Sequence, residues 1–314
     1  MIDVTGPGRP MTAGHTALLY RGADDYLAAV LPFVEDGVRA GEAVTVVAPR
    51  GNLDLIRDGC APGVAGEVRW LDMADVGRNP GRLAPAVLHP VLDRDARVVS
   101  EVVWPGRSPA EYPSCVRHEA LANHLLRGKS LNLLCPYDAL RLRPVELADA
   151  LVTHPGVLEH GDHRRSPGFA PQDALAAYNR QAMPEPVNAR TLPVGVGELG
   201  LARKLVSSAA AAFGLAEPRA ADAALVVTEL ITNSVEHGGG RATLAVWTTD
   251  TDLICEIRDE GTLDDPLAGL RPAPVSQPHG RGLLVVHSLA DLVTIHTDDH
   301  CTVVRAHFTR GGGA

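Results

Sequence analysis

Three polar residues recur at every fourth position of the stretch from Leu225 to Gly238: Glu229, Asn233 and His237. On an α-helix this spacing lines them up along one stripe, a polar ridge beside the apolar Leu225, Val226, Leu230, Ile231 and Val235. About 20 residues further on comes Arg258-Asp259-Glu260-Gly261, and about 20 beyond that His279-Gly280-Arg281-Gly282-Leu283. A glycine turn that opens a new apolar helix offers bare backbone N–H groups and a positive helix end, both suited to phosphate. A carboxamide, a lone carboxylate and a glycine turn, in this order, are the parts a nucleotide site needs.

The residue types fit that chemistry. Mg²⁺ takes oxygen ligands, keeps several waters and is shared with substrate phosphates, so the one neutral oxygen of Asn233 suffices from the protein. Glu229, a helical turn away, is placed to orient a nucleophile, because phosphoryl transfer asks the protein mainly for positioning and charge compensation. Glu236 faces elsewhere. Two residues keep two readings each. Arg281 is either the cation for a transferring phosphate or a solvated loop residue between glycines. His237 either contacts a phosphate or caps the helix C-terminus ahead of Gly238-Gly239-Gly240.

With these motifs in place, roughly residues 196–310 resemble the GHKL ATPases, and within them the bacterial anti-sigma-factor serine kinases. The resemblance implies ATP and Mg²⁺ as ligands. It gives Asn233 to a Mg²⁺ that bridges the phosphates, Glu229 to the base that activates the attacking hydroxyl or water, and Asp259 to the adenine amino group. Gly261 then leaves room for the adenine ring, Gly280 and Gly282 form a hinge on the phosphate side, and His237, Arg281 and Thr302 complete the nucleotide-binding set. The chain departs from the pattern twice. Leu263 follows Thr262 where a second glycine is usual, and the late Gly-Thr signature reads His300-Cys301-Thr302, so only Thr302 is retained. The resemblance further implies a serine/threonine kinase that phosphorylates an anti-sigma antagonist, sequesters a sigma factor, or does both, and that forms a homodimer. A different reading keeps ATP but drops turnover, leaving a non-catalytic sensor and interaction module. A weaker one is a sensor histidine kinase, which needs a phosphoacceptor His on a dimerising helical hairpin; His160 and His163 stand instead in a Gly/Pro-rich stretch. Residues 262–279, with Pro266, Pro272, Pro274 and Pro278, read as a lid over the nucleotide.

The elements that must position these residues are legible in hydrophobic period. Strand-like runs at 17–20, 43–47, 68–71, 98–103 and 131–135 alternate with amphipathic segments around 24–40, 51–59, 81–94 and 111–127. Such alternation builds a parallel sheet wrapped by helices. A Pro/Gly-rich linker over 161–195 comes next, with a short helical stretch near 172–181. Helices near 198–213 and 217–237, strands 241–248 and 252–259, a helix 280–290 and strands 292–297 and 301–308 then make an α/β sandwich. The fold class is α/β throughout, in two domains, 1–160 and 196–314.

Roughly residues 12–160 resemble the MEDS sensory domain, a RecA-like family without a phosphate loop. The recognisable pieces are Glu101-Val-Val-Trp-Pro-Gly-Arg107, Tyr112 with Arg117 and Glu119, and Cys135-Pro-Tyr-Asp138. No Gly-x-x-x-x-Gly-Lys-Ser/Thr comes after the first strand, so this half is not read as a second ATPase. Glu101, Trp104, Tyr137 and Asp138 fall at the C-terminal ends of the parallel strands, where open α/β sheets gather ligands, and are candidates for a sensory pocket taking a small-molecule effector. Equally, Trp104 and Tyr137 can cover a core edge while Asp138 caps the next helix.

Composition narrows the remaining classes. With 45% hydrophobic residues in 314, the chain can bury two ordinary cores. No apolar run reaches the roughly 18 residues of a membrane span, and the N-terminus lacks a basic segment followed by an apolar one, so a cytoplasmic protein is expected. The five cysteines are odd in number, dispersed and free of any Cys-x-x-Cys spacing, against a disulfide frame or a zinc site. A net charge of −9 with no Lys/Arg run argues against a nucleic-acid surface and for protein or small-molecule partners.

Overall fold

Valine- and leucine-rich runs punctuated by Gly and Asp fold as the strands of two separate sheets. The computed structural model describes residues 14–263, 265–271 and 281–311. The chain divides into two compact units, one made of the residues up to Met73 with Pro90–Pro105 and Ala122–Phe169, the other of Ala74–His89, Gly106–Leu121 and everything from Ala170 onward.

The first unit holds β1 (His15–Tyr20), α1 (Ala23–Arg39), β2 (Ala43–Ala48), α2 (Arg50–Gly59) and β3 (Val68–Asp72). Two helices, α3 (Met73–Val76) and α4 (Tyr112–Leu125), fall partly in each unit. The first unit continues with β4 (Ala96–Ser100), β5 (Leu131–Asp138), α5 (Pro144–Thr153), β6 (Gly156–Glu159) and β7 (Asp162–Arg165). Its strands run in the order β3-β2-β4-β5-β1-β6-β7, all parallel except the β6–β7 hairpin. Every residue of β1 is buried, as befits a central strand covered on both faces. Tyr26, Val30, Phe33 and Val34 of α1 pack with Val46 and Ile56 on one of those faces.

One expected element is absent. The amphipathic stretch 81–94 forms no α-helix; 3-10 turns at Pro80–Arg82 and His89–Val91 flank a π-type turn at Ala84–Leu88. Pro80, Pro85 and Pro90 each remove a backbone donor, so no continuous i→i−4 ladder can run through the segment.

The second unit continues with α6 (Pro171–Asn179), β8 (Arg190–Val194), α7 (Leu199–Phe213), α8 (Glu217–His237), β9 (Ala242–Thr248), β10 (Asp252–Asp259), α9 (Gly282–Leu289), β11 (Leu292–Thr297) and β12 (Thr302–Thr309). The strand order is β11-β12-β10-β9-β8, antiparallel throughout. Pro193 sits in β8, an edge strand, where a missing ladder donor costs least. Leu253, Cys255 and Ile257 alternate inward beside Phe308, Ala306 and Val304, and this face packs on Val206, Phe213, Val226, Leu230 and Ile231 of α7 and α8. Leu225, expected beside the polar ridge as an apolar partner, is exposed. Among the described residues no helix is long and apolar enough to cross a membrane.

The opposite face of this sheet buries an ion pair. Glu256 and Arg305 stand directly across β10 and β12, with Arg305 Nε donating to Glu256 Oε2 at 2.6 Å. Arg305 also donates to the Pro184 carbonyl and lies over the Trp247 ring. Removing one member of a buried pair strands the other charge, so Glu256→Ala should destabilise the second unit by about 3–5 kcal/mol, read as a lowered denaturant midpoint.

Candidate functional site

Helix α8 is the spine of the site. Its 21 residues start with Pro218 near the N-terminus, where a missing N–H costs nothing, and end at Gly238, whose N–H bonds to the Ser234 carbonyl. Glu229 and Asn233 are half-buried on the face that meets the start of α9. A Cβ on Gly282 would stand 2.9 Å from Glu229 Oε2 and 3.1 Å from Asn233 Oδ1. The glycine therefore lets the first turn of α9 lie directly on the carboxylate and the carboxamide.

One residue along α8, the buried Ser234 hydroxyl donates to Asp259 Oδ2, and the Gly261 N–H donates to Asp259 Oδ1 at 2.8 Å. Asp259 ends β10, half-buried, with Gly238 packed so closely that a Cβ there would fall 2.4 Å from the carboxylate carbon. A Cβ on Gly261 would in turn come within 2.6 Å of Gly238 Cα and 2.8 Å of the His237 carbonyl. Thr302, across from Asp259 on β12, donates to the Gly261 carbonyl at 2.9 Å and shares a 3.0 Å hydrogen bond with Thr297. Thr297 also accepts from the Leu263 N–H, so the position that departs from the glycine pattern is tied into the same turn.

The structure thus gathers Glu229, Asn233 and Gly282 in one group and Asp259, Gly261 and Thr302 in a second, joined through Asn233 and Ser234 on α8. His237 contributes its backbone to the second group; its imidazole is exposed beside Glu236. Arg281 is exposed at the head of α9. Gly280 and half of the expected lid, residues 264 and 272–279, lie outside the described residues. Sequence reading missed Ser234, whose only signal was a hydroxyl at an inward helical position.

The far end of α9 is held as well. Its terminal carbonyls receive side-chain donors from the segment Ala74–His89: Asn79 and Arg82 donate to His287 O at 2.9 and 3.0 Å, and Arg82 Nη2 to Ala290 O at 2.8 Å. These satisfy acceptors that a helix C-terminus otherwise leaves open, and the Arg82 cation suits that end of the dipole. The His287 ring packs so closely on Gly81 that a Cβ there would fall 2.0 Å from its Nδ1. Burial, with the Arg117 and Arg82 guanidinium groups nearby, pushes its pKa down to about 4.

In the first unit, the four candidate pocket residues separate. Glu101, just past β4, is fully buried and accepts from Tyr20 (3.1 Å), Tyr26 (3.3 Å) and Asn52 (2.7 Å). Burial raises its pKa to about 7 despite those donors, and the Asp138 carboxylate adds to the rise. Asp138, at the end of β5, accepts from the Leu140 N–H at 3.0 Å and so also shapes the adjoining turn. Tyr137, the preceding residue, points to the other face and meets the His154 ring edge-on, 5.5 Å between centres. Trp104 is half-buried in the loop after β4. Tyr20, Tyr26 and Asn52 are additions that no local sequence pattern announces.

Two family models match the chain. Residues 14–155 match the model of the MEthanogen/methylotroph, DcmR Sensory domain (MEDS), and residues 192–308 match the histidine kinase-like ATPase domain. The chain joins a MEDS sensory domain to an ATPase domain of the GHKL kind. Similar solved structures include the RsbU and RsbW domains of Rv1364c from Mycobacterium tuberculosis, 16% identical over 44% of this chain and 41% of that one, with a TM-score of 0.29. Another is the Acinetobacter baumannii histidine kinase AdeS, 14% identical over 40% of this chain and 70% of that one, with a TM-score of 0.23. The chain thus spans less than half the length of the Rv1364c structure. A comparison with curated proteins found no match.

The geometry sets two expected outcomes. Gly282→Ala puts a methyl group against the flexible end of Glu229, so the variant should fold normally, within about 1 kcal/mol of wild type by denaturation, while its nucleotide affinity falls at least about tenfold by calorimetry. His287 is held neutral with a folded pKa below its unfolded value, so its contribution is complete above about pH 6.5 and is lost as pH falls toward 4. His307, depressed in the same direction by burial, adds to the trend. Between those limits His287 should account for about 3 kcal/mol of lost stability, and His287→Gln should make the pH slope of the denaturation midpoint shallower.

Proposed function

We propose that this chain is an ATP-dependent serine/threonine protein kinase of the anti-sigma-factor type, governed by its sensory domain. The observation that carries the reading is the close approach of Gly282 to both Glu229 and Asn233, beside an Asp259 already oriented by Ser234 and Gly261. The donor set suits the cofactor: Asn233, on α8, offers one hard, neutral oxygen beside the first turn of α9, as expected of a protein ligand to a Mg²⁺ shared with phosphates. When bound, that ion would neutralise phosphate charge. Asp259 would accept from the adenine amino group, with Gly261 and Thr302 shaping the ring's edge. Glu229 would orient the acceptor hydroxyl, and Arg281 and the head of α9 would face the phosphates. His237 would act through its backbone.

The acceptor in this reading is a serine or threonine of an anti-sigma antagonist, and the same surface would hold a sigma factor. The sensory module would span 1–160, with a linker over 161–195 and the kinase over 196–314, in a cytoplasmic protein that forms a homodimer. A small-molecule effector would act through Glu101, Asp138 and their neighbours. The altered positions Leu263 and Cys301 favour a second reading, in which ATP binds without turnover and sets conformation only.

Transfer from γ-labelled ATP separates these readings. Glu229→Gln should retain nucleotide affinity within about twofold and lower transfer by about 10²–10⁴-fold, the usual contribution of a positioned base. Asn233→Ala should lose Mg²⁺-dependent binding itself. Label on a partner serine or threonine supports the kinase; label on a histidine of this chain makes it a histidine kinase; binding without transfer supports the non-catalytic module.

A further inference from the structure

Outside the Glu101 network, the first unit buries three groups with the chemistry of metal ligands. Register pairs Cys135 of β5 with Ala17 of β1, two residues after His15, so His15 and Cys135 project from the same face of neighbouring strands. Cys135 Sγ lies 3.4 Å from His15 Nε2. His154, immediately after α5, stacks on His15 with ring centres 3.9 Å apart. The three are 2%, 1% and 0% exposed, and one donor atom from each lies within 4.8 Å of the others.

The surrounding hydrogen bonds fix which nitrogen of each imidazole carries the proton. Asn123 Nδ2 donates to the Thr153 carbonyl at 2.8 Å, which turns Asn123 Oδ1 toward His15 Nδ1 at 3.2 Å. An amide oxygen only accepts, so His15 is protonated at Nδ1. His154 Nδ1 lies 2.9 Å from the Ala150 carbonyl and 3.0 Å from Thr153 Oγ1, whose own hydrogen goes to the Asp149 carbonyl at 2.8 Å. Both neighbours accept, so His154 is protonated at Nδ1 too. Each ring therefore presents Nε2 as its basic atom while Nδ1–H is held by a backbone or amide oxygen, the arrangement that orients metal-ligating histidines.

We propose that His15 Nε2, His154 Nε2 and Cys135 Sγ form a binding site for a divalent transition ion of the zinc class. Two imidazoles and a thiolate are too soft a set for Mg²⁺ or Ca²⁺ and match the borderline preference of Zn²⁺. A tetrahedral zinc with ordinary bond lengths holds N and S about 3.5 Å apart, close to the observed Cys135–His15 separation. Three protein donors leave the fourth corner to an oxygen donor. Binding releases the thiol proton to solvent, so affinity falls as pH is lowered. The site is independent of the nucleotide reading of the second unit.

The test uses the full chain, stripped of metal by a chelator and titrated with Co²⁺. One equivalent should produce visible bands of tetrahedral intensity and a near-ultraviolet thiolate-to-metal charge-transfer band, both removed by Zn²⁺. The band should persist in Cys301→Ser, which disables the half-buried group of His296, Asp298 and Cys301, and vanish in Cys135→Ser. Asn123→Ala, which removes the acceptor behind His15 and leaves all three ligands, should weaken Zn²⁺ binding about 10- to 100-fold and keeps the test decisive if Cys135→Ser does not fold. A wild type that binds no Co²⁺ or binds it without the charge-transfer band, a band surviving in Cys135→Ser, or an Asn123→Ala variant with undiminished Zn²⁺ affinity would each overturn the proposal.

Discussion

The proposed nucleotide site rests on missing side chains. Gly238, Gly261 and Gly282 each occupy a position where a Cβ would fall within 3 Å of another group, and those groups are Asp259, the end of α8, and Glu229. Any other residue at 261 would run into the Gly238 Cα and the His237 carbonyl, backbone that cannot give way cheaply, and one at 238 would displace the Asp259 carboxylate. Because those gaps are filled by backbone, the polar side chains of α8 and the end of β10 lie at fixed distances from main-chain N–H groups. The Ser234–Asp259–Gly261 hydrogen bonds then set the carboxylate's orientation before any ligand arrives, which is the condition for selective recognition of an amino group.

Helix α9 ties this arrangement to a remote part of the sequence. Its first residue lies on Glu229 and Asn233, and its last carbonyls are capped by Asn79 and Arg82, about 200 residues earlier in the chain. With only eight residues, α9 has little internal stability, and its position depends on tertiary contacts: Val286 in the core of the second unit, and the groups at its two ends. The irregular turns of 80–91, enforced by three prolines, bring Gly81 into close contact with the His287 ring and aim both caps.

Much of this was legible in the sequence. The four-residue spacing of Glu229 and Asn233 put both on one face of α8 because helical geometry leaves no other choice, and the alternation of β10 and β12 fixed which residues face α7 and α8. The placement of His237 was not legible, because a residue at a helix terminus can turn either its ring or its carbonyl inward; here the carbonyl packs on Gly261 and the ring is exposed. The caps from Asn79 and Arg82 were equally hidden: contacts across so long a separation leave no periodicity. The 81–94 stretch misled because its apolar spacing is helical while its prolines forbid the helix. Tyr137 was grouped with Asp138 by sequence neighbourhood, yet consecutive strand residues point to opposite faces, and it belongs with His154.

Calorimetric titration of Mg²⁺-ATP into the wild type and into Asp259→Asn tests the placement of the nucleotide most directly. Replacing the carboxylate by an amide keeps the shape but turns one acceptor into a donor, and losing a charged hydrogen bond costs about 1.5–3 kcal/mol, so affinity should drop by at least about tenfold while ADP and ATP are affected alike. Equal affinity in the two proteins, or no binding by the wild type at millimolar ATP, would mean that Asp259 and its glycine-built surroundings do not receive adenine.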